Sequence, residues 1–147
     1  MSVRDYCSRK PVTVDPYASV RSAVRLMEER GVGCVVVTEQ GRTVGMLTDR
    51  DAALTVLTRR LDADAVPVRE VMHQPVQTLD PDAPFAWALS LLRASRLRRL
   101  PVVDSGGALV GVLSLDDVVR LLATEIGDLA EAIRRQLSQP PGGGPRP

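Results

Sequence analysis

Apolar positions along the chain change their period in a fixed order, and that order occurs twice. Pro11-Val12-Thr13-Val14 is a short β-branched run closed by Asp15-Pro16, which predicts a brief strand. From there Val20, Ala23, Val24 and Met27 recur every three or four residues, predicting one helix face that Ser19 can cap and Gly31 can stop. The runs 34–37 and 43–47 are rich in β-branched residues and flank Glu39-Gln40-Gly41, so they read as two strands about a tight turn. Thr48 then opens a second helix with Ala52, Ala53, Val56 and Leu57 on its buried side. After a connector over 61–67 the order returns: a strand at 76–79, a helix at 84–94, strands at 100–103 and 108–113 about Asp104-Ser105-Gly106-Gly107, and a helix from Ser114. Each unit therefore reads β-α-β-β-α.

The repetition extends to residue identity. The distance from Gly45 to Gly111, from Thr48 to Ser114 and from Asp51 to Asp117 is 66 residues each time. Val3-Arg4-Asp5-Tyr6-Cys7 matches Val68-Arg69-Glu70-Val71-Met72, and Asp15-Pro16 matches Asp80-Pro81, at an offset of 65, with Gly107 as the extra residue. The units span 3–62 and 68–124, followed by a helical extension over 125–138 and a tail over 139–147 whose proline and glycine content predicts disorder. The fold class is α/β in the mixed α+β sense. Two helices cannot cover a three-stranded sheet from both sides, so the units are expected to pack sheet to sheet about a pseudo-twofold axis with a cleft along it.

Two such units, each carrying a G-h-h-[ST]-x-x-D segment near its end (h, apolar), resemble a cystathionine β-synthase (CBS) domain pair, also called a Bateman module. The resemblance runs from Val3 to Ala123 and implies a regulatory module that binds an adenosine compound between its repeats. The matching hydroxyl residue and aspartate of CBS pairs contact phosphate and ribose. Arg98-Arg99 is similar to the basic pair that contacts phosphates in the gamma subunit of the AMP-activated protein kinase, where it reaches across the cleft.

The residues support this reading on their own chemistry. A helix starting after Thr48 presents free N–H groups and the positive end of its dipole to an anion, while Asp51 can accept two hydrogen bonds from a ribose diol. The same spacing also describes an N-cap, with the hydroxyl and the acid serving only the helix. Two adjacent arginines need an anion, either a phosphate or an acid such as Asp104. The expected main site is Thr48, Arg50 and Asp51 with Arg98 and Arg99. Ser114 and Asp117 form a second, weaker one, because Asp116 stands where the first repeat has Arg50. Thr13, Val14, Val35, Val36 and Pro101 are expected to wall the adenine.

Composition narrows the alternatives. Net charge is +1 and aromatic residues make up 3%, so neither a DNA-recruiting field nor base-stacking platforms are expected and nucleic acid is an unlikely partner. Cys7 and Cys34 lack metal or disulfide spacing, and Cys34 reads as a small core residue. Arginines and Lys10 near Cys7 favour a thiolate, but no histidine is near it in sequence to make it a nucleophile. His73, the single histidine, lies beside Gln74-Pro75 and reads as a surface residue. Trp87 reads as packing. No catalytic constellation, metal set or required cofactor is expected, and without an apolar leader or span the expectation is a cytoplasmic, non-membrane, non-enzymatic protein. The expected ligand is AMP, ADP or ATP, ahead of S-adenosylmethionine or NAD, in a homodimer that signals to an effector protein. The alternative is a ligand-free assembly module. Leu122, Ile126, Leu129, Ile133 and Leu137 extend the last apolar stripe past the repeat, suiting either a dimer contact or a helix folded back on its own domain.

Overall fold

In the computed structural model, which describes residues 1–8, 10–95 and 97–138, both repeats fold as the apolar pattern predicts, with one strand lost. Arg9, Arg96 and the 139–147 tail lie outside the described residues. The first repeat supplies β1 (Thr13–Val14), α1 (Val20–Arg30), β2 (Cys34–Glu39), β3 (Arg42–Thr48) and α2 (Asp49–Arg59). The second supplies α3 (Phe85–Ala94), β4 (Arg99–Val103), β5 (Leu109–Ser114) and α4 (Leu115–Ser138). Single 3-10 turns, Val3–Asp5 and Val68–Glu70, open each repeat.

Local chemistry sets the element boundaries. Ser19 Oγ accepts the Ser22 N–H at 3.1 Å to start α1. Gly31 ends it at φ 63°, which lets the Val32 N–H return to the Met27 carbonyl. Gln40 and Gly41, at φ 50° and 76°, form the two-residue left-handed turn whose twist matches the β2–β3 hairpin.

β1 lies parallel to β2, and β2 antiparallel to β3. The second sheet keeps only the antiparallel β4–β5 pair, and the strand expected at 76–79 is reduced to one parallel bridge between Leu79 and Val102. Proline accounts for the loss. In the first repeat the Val36 N–H donates to the Val12 carbonyl at 2.9 Å. Pro101 occupies the equivalent position and has no N–H to give, so the ladder closes only around Leu79.

Each repeat has its own buried core, and the two cores exchange their opening turns. Val68 is buried with Val20, Met27, Val37 and Leu47 of the first repeat, while Val3 is buried with Leu79, Leu100, Leu113 and Val118 of the second. The Val3 and Arg4 N–H groups donate to the Ala83 and Pro81 carbonyls, and those of Val68 and Arg69 to Ala18 and Pro16. A third, smaller cluster of Val36, Met46 and Val112, with Val76 and Leu109 against it, joins the two sheets face to face.

The exchanged chain then crosses the partner repeat's last strand. Ser8 and Val112 trade backbone hydrogen bonds of 2.8 and 3.1 Å, and His73 and Met46 trade bonds of 2.9 and 3.2 Å. The signature glycines sit directly under these crossings. A Cβ on Gly111 would run into the Ser8 carbonyl oxygen and come within 2.8 Å of Cys7 Sγ. One on Gly45 would meet Met72 Sδ and approach the His73 carbonyl at 3.0 Å.

The buried stripe of α2 is narrower than its apolar pattern suggests. Ala52 is buried, but Ala53 is exposed and Leu57 is 75% exposed. Val24 on α1 is likewise exposed, and with Val56 and Leu57 it lines a groove between the two helices that none of the described residues fills. Trp87 is also exposed on α3, so it packs no core among the described residues.

Candidate functional site

The cleft between the repeats is divided into two hollows, and each has a hydroxyl–aspartate pair at the start of a helix. Thr48 Oγ1 accepts the Asp51 N–H at 3.1 Å, capping α2, and donates its own hydrogen to Asp51 Oδ2 at 2.7 Å. Ser114 and Asp117 repeat this at the start of α4, with distances of 3.1 and 2.5 Å. The capping geometry is therefore real in both copies, and it aims the carboxylates as well as closing the helix ends.

The first hollow, about 590 Å3, brings together Thr48, Arg50 and Asp51 from one repeat with Arg98 and Arg99 from the other. Its apolar walls are Met46, Leu54, Val76 and Leu97, not the residues anticipated. Thr13 lines neither hollow, Val14 packs against the first core, and Val35 and Pro101 are fully buried. In a sheet every second residue points to the other face, so Val14 and Val35 turn into the first core, while Thr13 and Pro101 share the face of Val36 and Val112 but lie outside the linings of both hollows.

The largest departure concerns His73, whose Nε2 lies 2.5 Å from Asp51 Oδ2 inside the first hollow. The chain crossing over Gly45 is what delivers it there, 22 residues along the sequence from its partner. Its repeat equivalent, Ser8, lines the second hollow in the same way. Burial alone would raise the Asp51 carboxyl, but the Thr48 hydroxyl, His73 and Arg50 outweigh it and hold Asp51 below the usual carboxylate range. A depressed folded-state value makes the ionised form the stabilising one. That contribution is complete above the unfolded carboxylate range and disappears as pH falls through the lower folded value. Thermal melts between pH 5 and pH 3 are expected to fall more steeply for wild type than for Asp51→Asn.

The two arginines also have an internal partner. Arg98 Nη2 contacts Asp116 Oδ1 at 3.1 Å and Arg99 Nη2 lies 4.0 Å from Asp116 Oδ2, so Asp116 and not Asp104 is their acid. Asp104 Oδ1 instead accepts the N–H groups of Gly106 and Ala108. Arg98 is largely exposed, whereas Arg99 is only 26% exposed and lies against Gly33, where a Cβ would come within 3.1 Å of its guanidinium.

Arg99 and Asp116 border both hollows and so form the wall between them. The second hollow, about 410 Å3, contains Ser114 and Asp117 with Val36, Val12 and Val112. It also holds Lys10 and Arg120, basic groups that the position-by-position match to Arg50 passes over. Cys34 is half-buried there, its thiol pushed up by burial and by Asp49 against the pull of Arg99, which keeps it protonated.

Among the described residues no cluster of histidine, cysteine and carboxylate could hold a metal ion, and no helix is long and apolar enough to cross a membrane.

A family model for the CBS domain matches residues 3–57 and again 68–124. The chain belongs to the CBS domain family, as a tandem pair. The CBS domain-containing protein YhcV of Bacillus subtilis is 38% identical over 117 residues, covering 80% of this chain and 82% of that protein. A putative signal-transduction protein with CBS domains from Burkholderia ambifaria superposes with a TM-score of 0.72 at 31% identity, covering 78% of this chain and 84% of the other. The CBS domain pair of protein MJ0100, whose structure holds 5-methylthioadenosine and S-adenosylmethionine, superposes with a TM-score of 0.77 over 85% of this chain and 98% of the other, at 23% identity. That last likeness is one of fold.

Proposed function

We propose that this CBS pair is a regulatory module that binds an adenosine nucleotide of the AMP, ADP or ATP class in the first hollow and passes the resulting change to a partner protein. The observation that carries the reading is Asp51. Thr48 and His73 both reach its Oδ2, while Oδ1 takes no part in those bonds and is left for a ribose diol. Arg98 and Arg99 stand across the same hollow, and a phosphate there would replace the Asp116 carboxylate as their anion. Met46, Leu54, Val76 and Leu97 offer the apolar surface an adenine needs. On this reading the module acts by binding. The ligand can shift the two repeats only by preferring one of their arrangements.

Isothermal titration of the purified protein with AMP, ADP, ATP, NAD, S-adenosylmethionine and 5-methylthioadenosine tests this. Replacing both arginines, Arg98→Ala with Arg99→Ala, is expected to weaken the phosphorylated ligands at least about tenfold while leaving 5-methylthioadenosine unchanged. Equal losses for all ligands would remove the phosphate assignment, and no binding by any of them would remove the function.

A further inference from the structure

From Leu115 to Ile133 the exposed apolar residues of α4 are spaced by four and three in strict alternation: Leu115, Val119, Leu122, Ile126, Leu129 and Ile133. This is a heptad seam, and its residue types are ordered. Every position of one kind is β-branched, Val119, Ile126 and Ile133, and every position of the other is leucine, Leu115, Leu122 and Leu129. Of the arrangements open to such a seam, β-branched residues at the first core position with leucine at the second favour two parallel strands. The seam is open along its whole length, at 37% exposure for Leu115 and between 48% and 67% for the other five, while the neighbouring Val118 anchors the helix in the second core.

We propose that α4 pairs with α4 of a second copy of this chain in a parallel, in-register two-stranded coiled coil. Area and charge both single out a second copy as the occupant. The six exposed side chains contribute on the order of 100 Å2 each. With their flanking stems, that approaches the roughly 800 Å2 per partner of a stable interface. The positions flanking the seam hold Ala123, Ala130 and Ala132, with Glu125 as the one acid among them beyond Asp116. In register, Glu125 falls opposite Ala130 of the other copy, so self-pairing sets no like charges against each other. Antiparallel pairing keeps all six only by setting Leu115 against Ile133, Val119 against Leu129 and Leu122 against Ile126, which mixes the two residue types in every layer and runs residues 134–138 of each helix past the start of the other copy's α4.

Cysteine cross-linking in the full-length protein tests the pairing, in a Cys7→Ser, Cys34→Ser background. Gln136→Cys continues the seam at its next core position, and Thr124→Cys lies on the outer face. Under mild oxidation Gln136→Cys is expected to form a disulfide-linked dimer at least about tenfold faster than Thr124→Cys, because only seam positions bring Cβ atoms of two copies within disulfide reach. Adding Ile126→Lys with Ile133→Lys is expected to abolish that cross-link without changing the thermal melt of the repeats, since neither isoleucine belongs to a core. Cross-linking at equal rates from both positions would overturn the proposal. So would no dimer from Gln136→Cys, or a cross-link that survives the two lysines.

Discussion

Asp51→Ala is expected to abolish or weaken binding of every adenosine ligand, phosphorylated or not, by about 10- to 150-fold, the loss that follows from removing a charged hydrogen-bond acceptor from a ligand hydroxyl pair. The ribose is common to all of them, so the loss should not depend on phosphate count. Asp117→Ala, at the equivalent position of the second hollow, is expected to leave that affinity unchanged. The experiment also separates the two roles the aspartate can have. The cap on α2 uses the backbone N–H of Asp51, which alanine retains, so helix and fold should survive the substitution. A variant that melts far earlier yet still binds ligand would make Asp51 a structural residue only.

Gly111→Ala should cost about 1–3 kcal/mol of stability, a fall in melting temperature of several degrees for a chain of this size. The glycine has an ordinary negative φ, so backbone freedom is not the reason. The reason is room. A Cβ there collides with the Ser8 carbonyl, a backbone atom held by its own pair of hydrogen bonds to Val112, and relief requires the opening segment to lift off β5. Gly45→Ala is expected to cost less, because its nearest obstacle is the flexible end of Met72. Denaturant or thermal unfolding of the two variants side by side measures the difference. Equal melting temperatures for Gly111→Ala and wild type would show that the crossing is loose.

The signature glycines illustrate how far the residues could be read in advance. Their duplication was plain from the 66-residue offset, and the strand each one lies in and the helix that follows it came from apolar spacing. What each glycine is for was not, because the atoms it makes room for come from the other repeat. Which strand residues line the hollows was hidden for a related reason. Val14 and Val35 turn into the first core while Val36 lines the second hollow, and which face of a two-sided apolar strand meets the cleft depends on how the sheets are stacked. Pro101 did carry a readable signal: a proline inside a strand predicts the ladder bond that the second sheet lacks.

His73 is the sharpest instance. A lone histidine beside a proline reads as surface, and its partner lies 22 residues away; the crossing over Gly45 sets its ring on Asp51. Asp116 is similar, since its pairing with Arg98 and Arg99 joins a helix start to a strand start across a hairpin.

Sequence alone determined the tandem repeat, through its fixed offset, and the helix caps at Ser19 and Thr48, the hairpin turn at Gln40-Gly41 and the apolar stripe of the last helix, because each of these depends on residues within a few turns of one another. Tertiary structure alone decided that the repeats exchange their opening turns, that His73 and Asp51 meet, and that Arg99 divides the cleft into two hollows. Those facts rest on contacts between segments far apart in the chain, whose register is set by how two cores and a small inter-sheet cluster pack together, and no local periodicity encodes that register.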